Sequence, residues 1–251
     1  MEHNLFKPRN FEEGIESVVG HCNGVPGKVR FNEETPAFAK AILSKIPSTA
    51  RTILDYGCGV GRIAKEVLKQ NQLVTVIGLD ASEAELGLAK QYINDSRFVP
   101  VLPHELDQRV DAVYCVYVLQ HIPAIDLREA IQRIHHYLKD DGIFVYCSSD
   151  YRMAIRFDGQ GFCDDRFLGV NIREEIGRYF EELGDLFKEF PNEVVKKLVT
   201  AEGCPQGSIQ HPAKVYRKKA IQNYFLVGSS RKPLDQPASP SAKGDKRRLI
   251  L

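Results

Sequence analysis

Three glycines at alternate positions, Gly57, Gly59 and Gly61, stand directly after the apolar pair Ile53-Leu54 and a carboxylate, Asp55. Glycine reaches backbone conformations closed to residues with a Cβ, and it lets a ligand lie against the main chain. Apolar run, acid, spaced glycines and helical pattern together describe a strand, a tight turn and a helix whose first N–H groups face a ligand. Such a turn is suited to nucleotides. A second acid, Asp80, closes the next β-rich run at 73–80, where an ionised carboxylate can accept hydrogen bonds from both hydroxyls of a ribose. Past the fourth apolar run come Tyr117 and His121, and imidazole is the side chain best suited to taking a proton near neutral pH.

These groups need a frame to hold them. Thr35-Pro36 reads as an N-cap followed by proline at the first helical position, which predicts a helix over 35–46. Strands are expected at 52–56, 73–80, 97–102, 111–118 and 143–147. Ile63, Ala64, Val67 and Leu68 repeat at helical spacing between the first two. Ser82 with Glu85 forms a capping-box pattern ahead of Leu88, Ala89, Tyr92 and Ile93, and Asp126 with Glu129 repeats it ahead of Ile131, Ile134, Tyr137 and Leu138. Lys139-Asp140-Asp141-Gly142 reads as a turn into the fifth strand. Successive strand–helix units predict the α/β class, with a doubly wound, mostly parallel sheet covered by helices on both faces.

Beyond residue 150 the pattern loosens. Ile172, Ile176, Tyr179, Phe180, Leu183, Phe187 and Phe190 share one face of an expected long helix. A further helix is expected at 192–202 and a last strand at 220–227. From residue 229 the chain is rich in Pro, Ser, Lys and Arg with little to bury, which reads as a disordered tail.

A formal net charge of +1 over 251 residues argues against a protein that coats nucleic acid or an anionic membrane, because such binding needs concentrated basic surface. A small-molecule partner is expected, with no DNA and no membrane span. The opening Met1-Glu2-His3-Asn4 lacks the basic-then-apolar layout of a secretory signal, so the cytoplasm is the expected compartment. The six cysteines show neither C-x-x-C spacing nor a companion His pattern, so neither zinc nor a disulfide framework is indicated.

With these motifs in order, the stretch 50–149 resembles the core of the class I S-adenosylmethionine-dependent methyltransferases. The resemblance implies a seven-stranded sheet with an antiparallel last strand and an inserted helical substrate or lid segment. It implies S-adenosyl-L-methionine as cofactor, S-adenosyl-L-homocysteine as product, and no metal. Gly57 and Gly59 would pass under the amino-acid end of the cofactor, Asp55 would help hold its ammonium group and Asp80 its ribose. Cys58, Gly61, Ala81, Leu102 and Val116 complete the implied cofactor set. Leu102 is a departure: the family usually presents an acid or amide there near the adenine amino group. The Leu102 backbone amide, His104 or Glu105 would have to serve instead. The implied domains are an N-terminal cofactor cover at 1–34, a cofactor-binding core at 35–150, an acceptor or lid segment at 151–191, the rest of the sheet at 192–228 and a tail at 229–251.

A rival nicotinamide-binding motif would need glycine or alanine three positions after Gly59, where Arg62 stands. The run 111–123 contains neither the D/N-P-P-Y/F motif of amino-methylating nucleic-acid enzymes nor a Pro-Cys nucleophile, and Cys115 reads as a small buried hydrophobe. His121 has two readings, a general base or a packing residue at the start of the next helix. Tyr117 reads as pocket wall. Arg152 and Arg156, interleaved with aromatics, could clasp a polar acceptor or make ordinary surface ion pairs. The implied reaction is in-line methyl transfer to oxygen or nitrogen of a small polar metabolite or sugar-containing intermediate. An inactive cofactor-binding regulator and an RNA or protein methyltransferase stand as alternatives.

Overall fold

The computed structural model describes residues 7–18, 27–148, 153–155, 161–163, 171–188 and 213–220. Five strands in register form the parallel part of the sheet: β1 (Thr52–Tyr56), β2 (Thr75–Leu79), β3 (Phe98–Val101), β4 (Val110–Val116) and β5 (Leu138–Cys147). Two more, β8 (Phe180–Asp185) and β9 (Ala213–Lys218), complete it, and β9 runs antiparallel to both β5 and β8. The strand order is β3-β2-β1-β4-β5-β9-β8. The direction of winding reverses between β1 and β4, and open α/β sheets bind ligands at the carboxyl ends of the strands beside such a reversal.

Alternation along the strands splits the core into two layers. Ile53, Val76, Ala112, Tyr114 and Val145 pack against α2 (Gly27–Lys45), α3 (Arg62–Gln70) and α4 (Glu83–Ile93). Leu54, Ile77, Val113, Cys115, Phe144 and Tyr146 face α5 (Ala124–Tyr137) and α6 (Ile172–Tyr179). The helices on both faces follow from strands whose residues are apolar in both directions. A short N-terminal helix, α1 (Phe11–Val18), joins a third cluster in which Ile15 and Phe31 close on Val60 of the glycine turn. A Cβ on Gly14 would lie 2.3 Å from Val60 Cγ1, so this approach tolerates no side chain.

Several expected boundaries move. The helix expected to start at Thr35 begins at Gly27 and carries Pro36 in its interior. Thr35 donates to the Phe31 carbonyl, and burial of Phe31, Phe38, Ala39 and Ile42 outweighs the hydrogen bond that proline cannot make. Ser82 does cap α4, accepting from Glu85 N–H at 3.3 Å. Asp126 does not cap α5, which starts at Ala124 behind Pro123, and Glu129 pairs instead with Arg133 at 2.6 Å. Lys139 to Gly142 is not a free turn but lies inside β5, where the register with β4 shifts.

The long helix expected through Phe190 ends at Tyr179, and Phe180–Asp185 is an edge strand of the main sheet. Part of the expected inserted segment therefore belongs to the sheet. Within 151–163 the described residues form a two-stranded antiparallel pair, β6 (Met153–Ile155) with β7 (Gly161–Cys163), rather than a helix. The last strand lies at 213–218, ahead of the expected 220–227. The expected helix at 192–202 and tail at 229–251 lie outside the described residues, as do all but the first residue of 220–227.

Candidate active site

The turn after β1 is built almost wholly from backbone. Gly57, Gly59 and Gly61 hold φ of 76°, 52° and 78°. The N–H groups of Gly57 and Cys58 both donate to the Leu79 carbonyl, at 2.7 and 3.1 Å, which ties the exit of β1 to that of β2. A Cβ on Gly57 would stand 2.4 Å from Val118 Cγ2, so the turn needs glycine there for space as well as for conformation. α3 follows directly, with Gly61 as its left-handed N-cap.

Asp80 staples this turn to α4. Its Oδ2 accepts from Gly59 N–H at 2.9 Å and its Oδ1 from Ser82 N–H at 2.9 Å. Burial raises its pKa, opposed by the N–H groups of Ser82, Gly59 and Ala81. A carboxylate offers about four acceptor positions, so with the N–H groups of Gly59, Ser82 and Ala81 on it about one remains for a ligand's hydroxyl.

Asp55 sits at the exit of β1, only 4% exposed and in register with Tyr114 of β4. Burial pushes its pKa up to about 8; Tyr114 opposes the rise, Asp80 adds to it and Arg62 opposes it. Asp55 shares a cavity of about 20 Å³ with Gly57, Cys58, Arg62, Ile63, Val116 and Tyr117. That volume holds about one water molecule and is too small for a purine ring.

Tyr117 forms the far wall. It is a non-glycine residue at φ 60°, a left-handed conformation costing about 1–3 kcal/mol that persists only where the surroundings impose it. Its N–H donates to the Cys147 carbonyl at 2.7 Å, and its ring meets Phe38 edge-on with centroids 6.1 Å apart. Burial raises the phenol's pKa, so it stays protonated. Cys115 is fully buried and burial raises its thiol pKa, leaving an inert side chain.

His121 ends a short 3₁₀ turn, Leu119–His121, and does not line this cavity. Its Nε2 lies 3.1 Å from the Gln120 side-chain amide, and Gln120 Oε1 accepts from the fully buried Ser148 hydroxyl at 2.8 Å. Leu102 is half-buried at the exit of β3, and its N–H, one of the donors considered for adenine, is taken by Glu105 Oε2 at 2.7 Å. Ala81 is exposed at the exit of β2. Arg152 and Arg156 lie outside the described residues.

The sequence reading missed Arg62 as a site residue and did not single out Glu34. Arg62 is 4% exposed at the first position of α3, 3.9 Å from Glu34 Oε2 and flanked by the rings of Phe31 and Phe38 at 5.9 and 5.8 Å. A signal existed: a cation at a helix N-terminus opposes the helix dipole, so an arginine directly after the glycine turn calls for an anion nearby.

The methyltransferase domain family matches residues 31–195, more than half of the chain. The chain therefore belongs to the class I S-adenosylmethionine-dependent methyltransferases. It is 28% identical over 151 residues to a carboxy-S-adenosyl-L-methionine synthase of Campylobacter fetus, covering 56% of this chain and 61% of that protein. It is 28% identical to a trans-aconitate 2-methyltransferase of Variovorax paradoxus, covering 49% of this chain and 48% of that one. Both matches span less than two thirds of the relative. The fold also matches a Burkholderia thailandensis 1,6-didemethyltoxoflavin-N1-methyltransferase, solved with its acceptor and S-adenosylhomocysteine, at a TM-score of 0.51 and 20% identity over 75% of this chain and 78% of that one. Among the described residues no helix is long and apolar enough to cross a membrane, and no group of three or more His, Cys, Asp or Glu is placed to hold a metal ion.

Proposed function

We propose that this protein transfers a methyl group from S-adenosyl-L-methionine to oxygen or nitrogen of a small polar metabolite. The observation that carries the reading is the single edge where the glycine turn, the Asp80 staple and the Asp55 cavity meet at the winding reversal of the sheet. These residues fit the cofactor in charge and shape. Asp80 keeps an acceptor position for a ribose hydroxyl, Asp55 is an acid placed for an ammonium, and the turn presents backbone without side chains. Cys58, Gly61, Ala81, Leu102 and Val116 would line the rest of the groove.

When bound, the cofactor supplies an already activated methyl group on a sulfonium. The protein's part is then mostly positional, and holding reactants in line is worth effective molarities of about 10⁵ M or more. Tyr117 and Val116 would wall the space beside the methyl, and α1, packed on Val60, would cover the turn. His121 would orient the β4 exit through Gln120, unless the acceptor is a hydroxyl that needs its imidazole as base. Arg152 and Arg156 are assigned to the acceptor side on sequence grounds. The small-molecule acceptor is supported by the kinds of relatives matched and by the near-neutral charge.

The test is calorimetry followed by transfer. Purified protein should bind S-adenosylhomocysteine and should move labelled methyl from S-adenosylmethionine into a fraction of a small-metabolite extract. Binding of a nicotinamide dinucleotide in place of S-adenosylhomocysteine would overturn the cofactor assignment. Label appearing only in RNA or protein would overturn the acceptor class.

A further inference from the structure

We propose that Ser148 and Gln120 lock the His121 imidazole as the neutral ring with its proton on Nδ1, so that it does not serve as a base. The methyl acceptor is accordingly an atom that carries its own lone pair at neutral pH, a carboxylate oxygen or an unprotonated ring nitrogen. The inference rests on the methyl-transfer reading above and narrows its acceptor.

The lock is built where two parallel strands end side by side. Val116 pairs with Cys147, and the Tyr117 N–H donates to the Cys147 carbonyl at 2.7 Å, so Ser148, one residue on, stands beside the exit of β4. There the chain turns through Leu119–His121, closed by the bond from His121 N–H to the Val118 carbonyl at 2.9 Å, with β6 packed against it. Gln120 is buried and Ser148 fully so, whereas His121 is half-buried. A side-chain amide has one accepting and one donating end. The Ser148 hydroxyl, donating at 2.8 Å, claims the accepting Oε1 of Gln120, which sets the donating amide nitrogen against His121 Nε2 at 3.1 Å. A ring nitrogen that receives a donor must carry a lone pair, so the proton of the neutral ring lies on Nδ1. Turning the amide over would reverse this, but the buried Ser148 hydroxyl would then lose its acceptor, a costly state. Protonation at Nε2 meets the same obstacle, since it sets N–H against N–H.

With Nε2 engaged and Nδ1 protonated, the ring has no lone pair with which to take a proton. The Tyr117 phenol, held protonated by burial, offers no substitute. That restricts the reaction. As the acceptor's lone pair forms the new bond to the methyl carbon, the carbon–sulfur bond breaks and its electron pair stays on sulfur, leaving a neutral thioether. A carboxylate becomes a neutral ester and a ring nitrogen a methylated cation, with no proton to place. A hydroxyl would leave a proton that needs a base. Position alone suffices for the first two.

The experiment has two arms. Nitrogen NMR of the whole chain with isotope-labelled histidine reads the tautomer at neutral pH, and alkaline treatment of labelled products reads the acceptor. The native protein should show a neutral His121 ring with its proton on Nδ1, assigned by the loss of that signal in His121→Gln. Ser148→Ala should raise the other tautomer to at least about one part in ten, the scale of one lost hydrogen bond. A native ring protonated on Nε2, a native imidazolium, or an unchanged ring in Ser148→Ala would overturn the lock. Should Ser148→Ala fail to fold, Gln120→Glu is read instead: a carboxylate in place of the donating amide should move the proton to Nε2, and an unmoved proton overturns the lock. In the second arm, labelled methyl should enter products from which mild alkali releases methanol, as from an ester, or be retained on a nitrogen cation. A neutral, alkali-stable ether would overturn the acceptor assignment. If no label moves into any extract, the methyl-transfer reading fails and the acceptor with it, while the lock is judged on the ring alone.

Discussion

Two strand exits meet at one edge of the sheet and are built on opposite principles. The turn after β1 is glycine at left-handed positions, held by backbone hydrogen bonds to Leu79 and Asp80. The exit of β4 reaches the same left-handed region at Tyr117, with a bulky side chain held by the Cys147 carbonyl and Phe38. Backbone recognition suits a ligand that is always the same, since a main chain without side chains tolerates no variation in what lies on it. Side-chain walls can be exchanged without remaking the turn, so under the proposed function the β4 exit is where acceptor choice would be expressed. The difference lies in what each segment can change.

Removing the Asp80 carboxylate should separate the two regions most sharply. Asp80→Ala deletes both the staple to Gly59 and the acceptor position left for the ligand, and should weaken S-adenosylhomocysteine binding about 100-fold by calorimetry. Gly57→Ala comes next. Its Cβ meets Val118 at φ 76°, and overpacking of about 1–3 kcal/mol should appear as roughly 30-fold weaker binding together with a lower melting temperature.

Asp55→Asn tests the electrostatics of the turn. The carboxyl has a pKa of 3.8 before folding and about 8 in the folded protein, so between these values the folded state holds the extra proton. Stability of the ligand-free protein from this group is greatest below about pH 4 and declines as pH rises toward 8. The substitution should therefore stabilise the ligand-free protein at pH 7, on the order of 2 kcal/mol, while abolishing a rise in cofactor affinity between pH 6 and 8. A melting series across pH, with and without S-adenosylhomocysteine, reads both.

On the β4 side the expected change is small. His121→Gln should keep labelled methyl turnover within about threefold, whereas loss of a general base would cost about 10²–10⁴-fold. The smallest effect is a control for the glycine turn. Gly87, exposed in α4 with nothing within 4 Å of an added Cβ, should accept alanine with a gain of about 0.5–1 kcal/mol in denaturant unfolding.

Much of the frame was legible because its signals are local. Runs such as 52–56 and 111–116 are apolar on both faces, and Ser82 with Glu85 marks the start of α4 within four residues. Phe180–Asp185 was not legible. Ile172, Ile176, Tyr179 and Phe180 fit a helical period, and the exposed Glu181, Glu182 and Leu183 carry no alternation, so only pairing with β9 makes this segment a strand. β9 itself was hidden by its charges. Lys214 bridges Glu182 and Asp185 at 3.0 and 2.8 Å, and Lys218 donates to the Leu138 carbonyl at 2.6 Å, partners more than twenty residues away in sequence.

The site divides the same way. By itself the chain's order of residues determined the glycine turn, Asp55 and Asp80, because each depends on backbone freedom or on a position at the end of a strand. Tertiary structure alone decided that Arg62 lines the cavity with Glu34 3.9 Å away, that Tyr117 is held left-handed, and that His121 stands beside Gln120 rather than in the cavity. The physical reason is range: conformational preference acts between neighbours in the chain, whereas burial and charge pairing act between whatever the fold brings together.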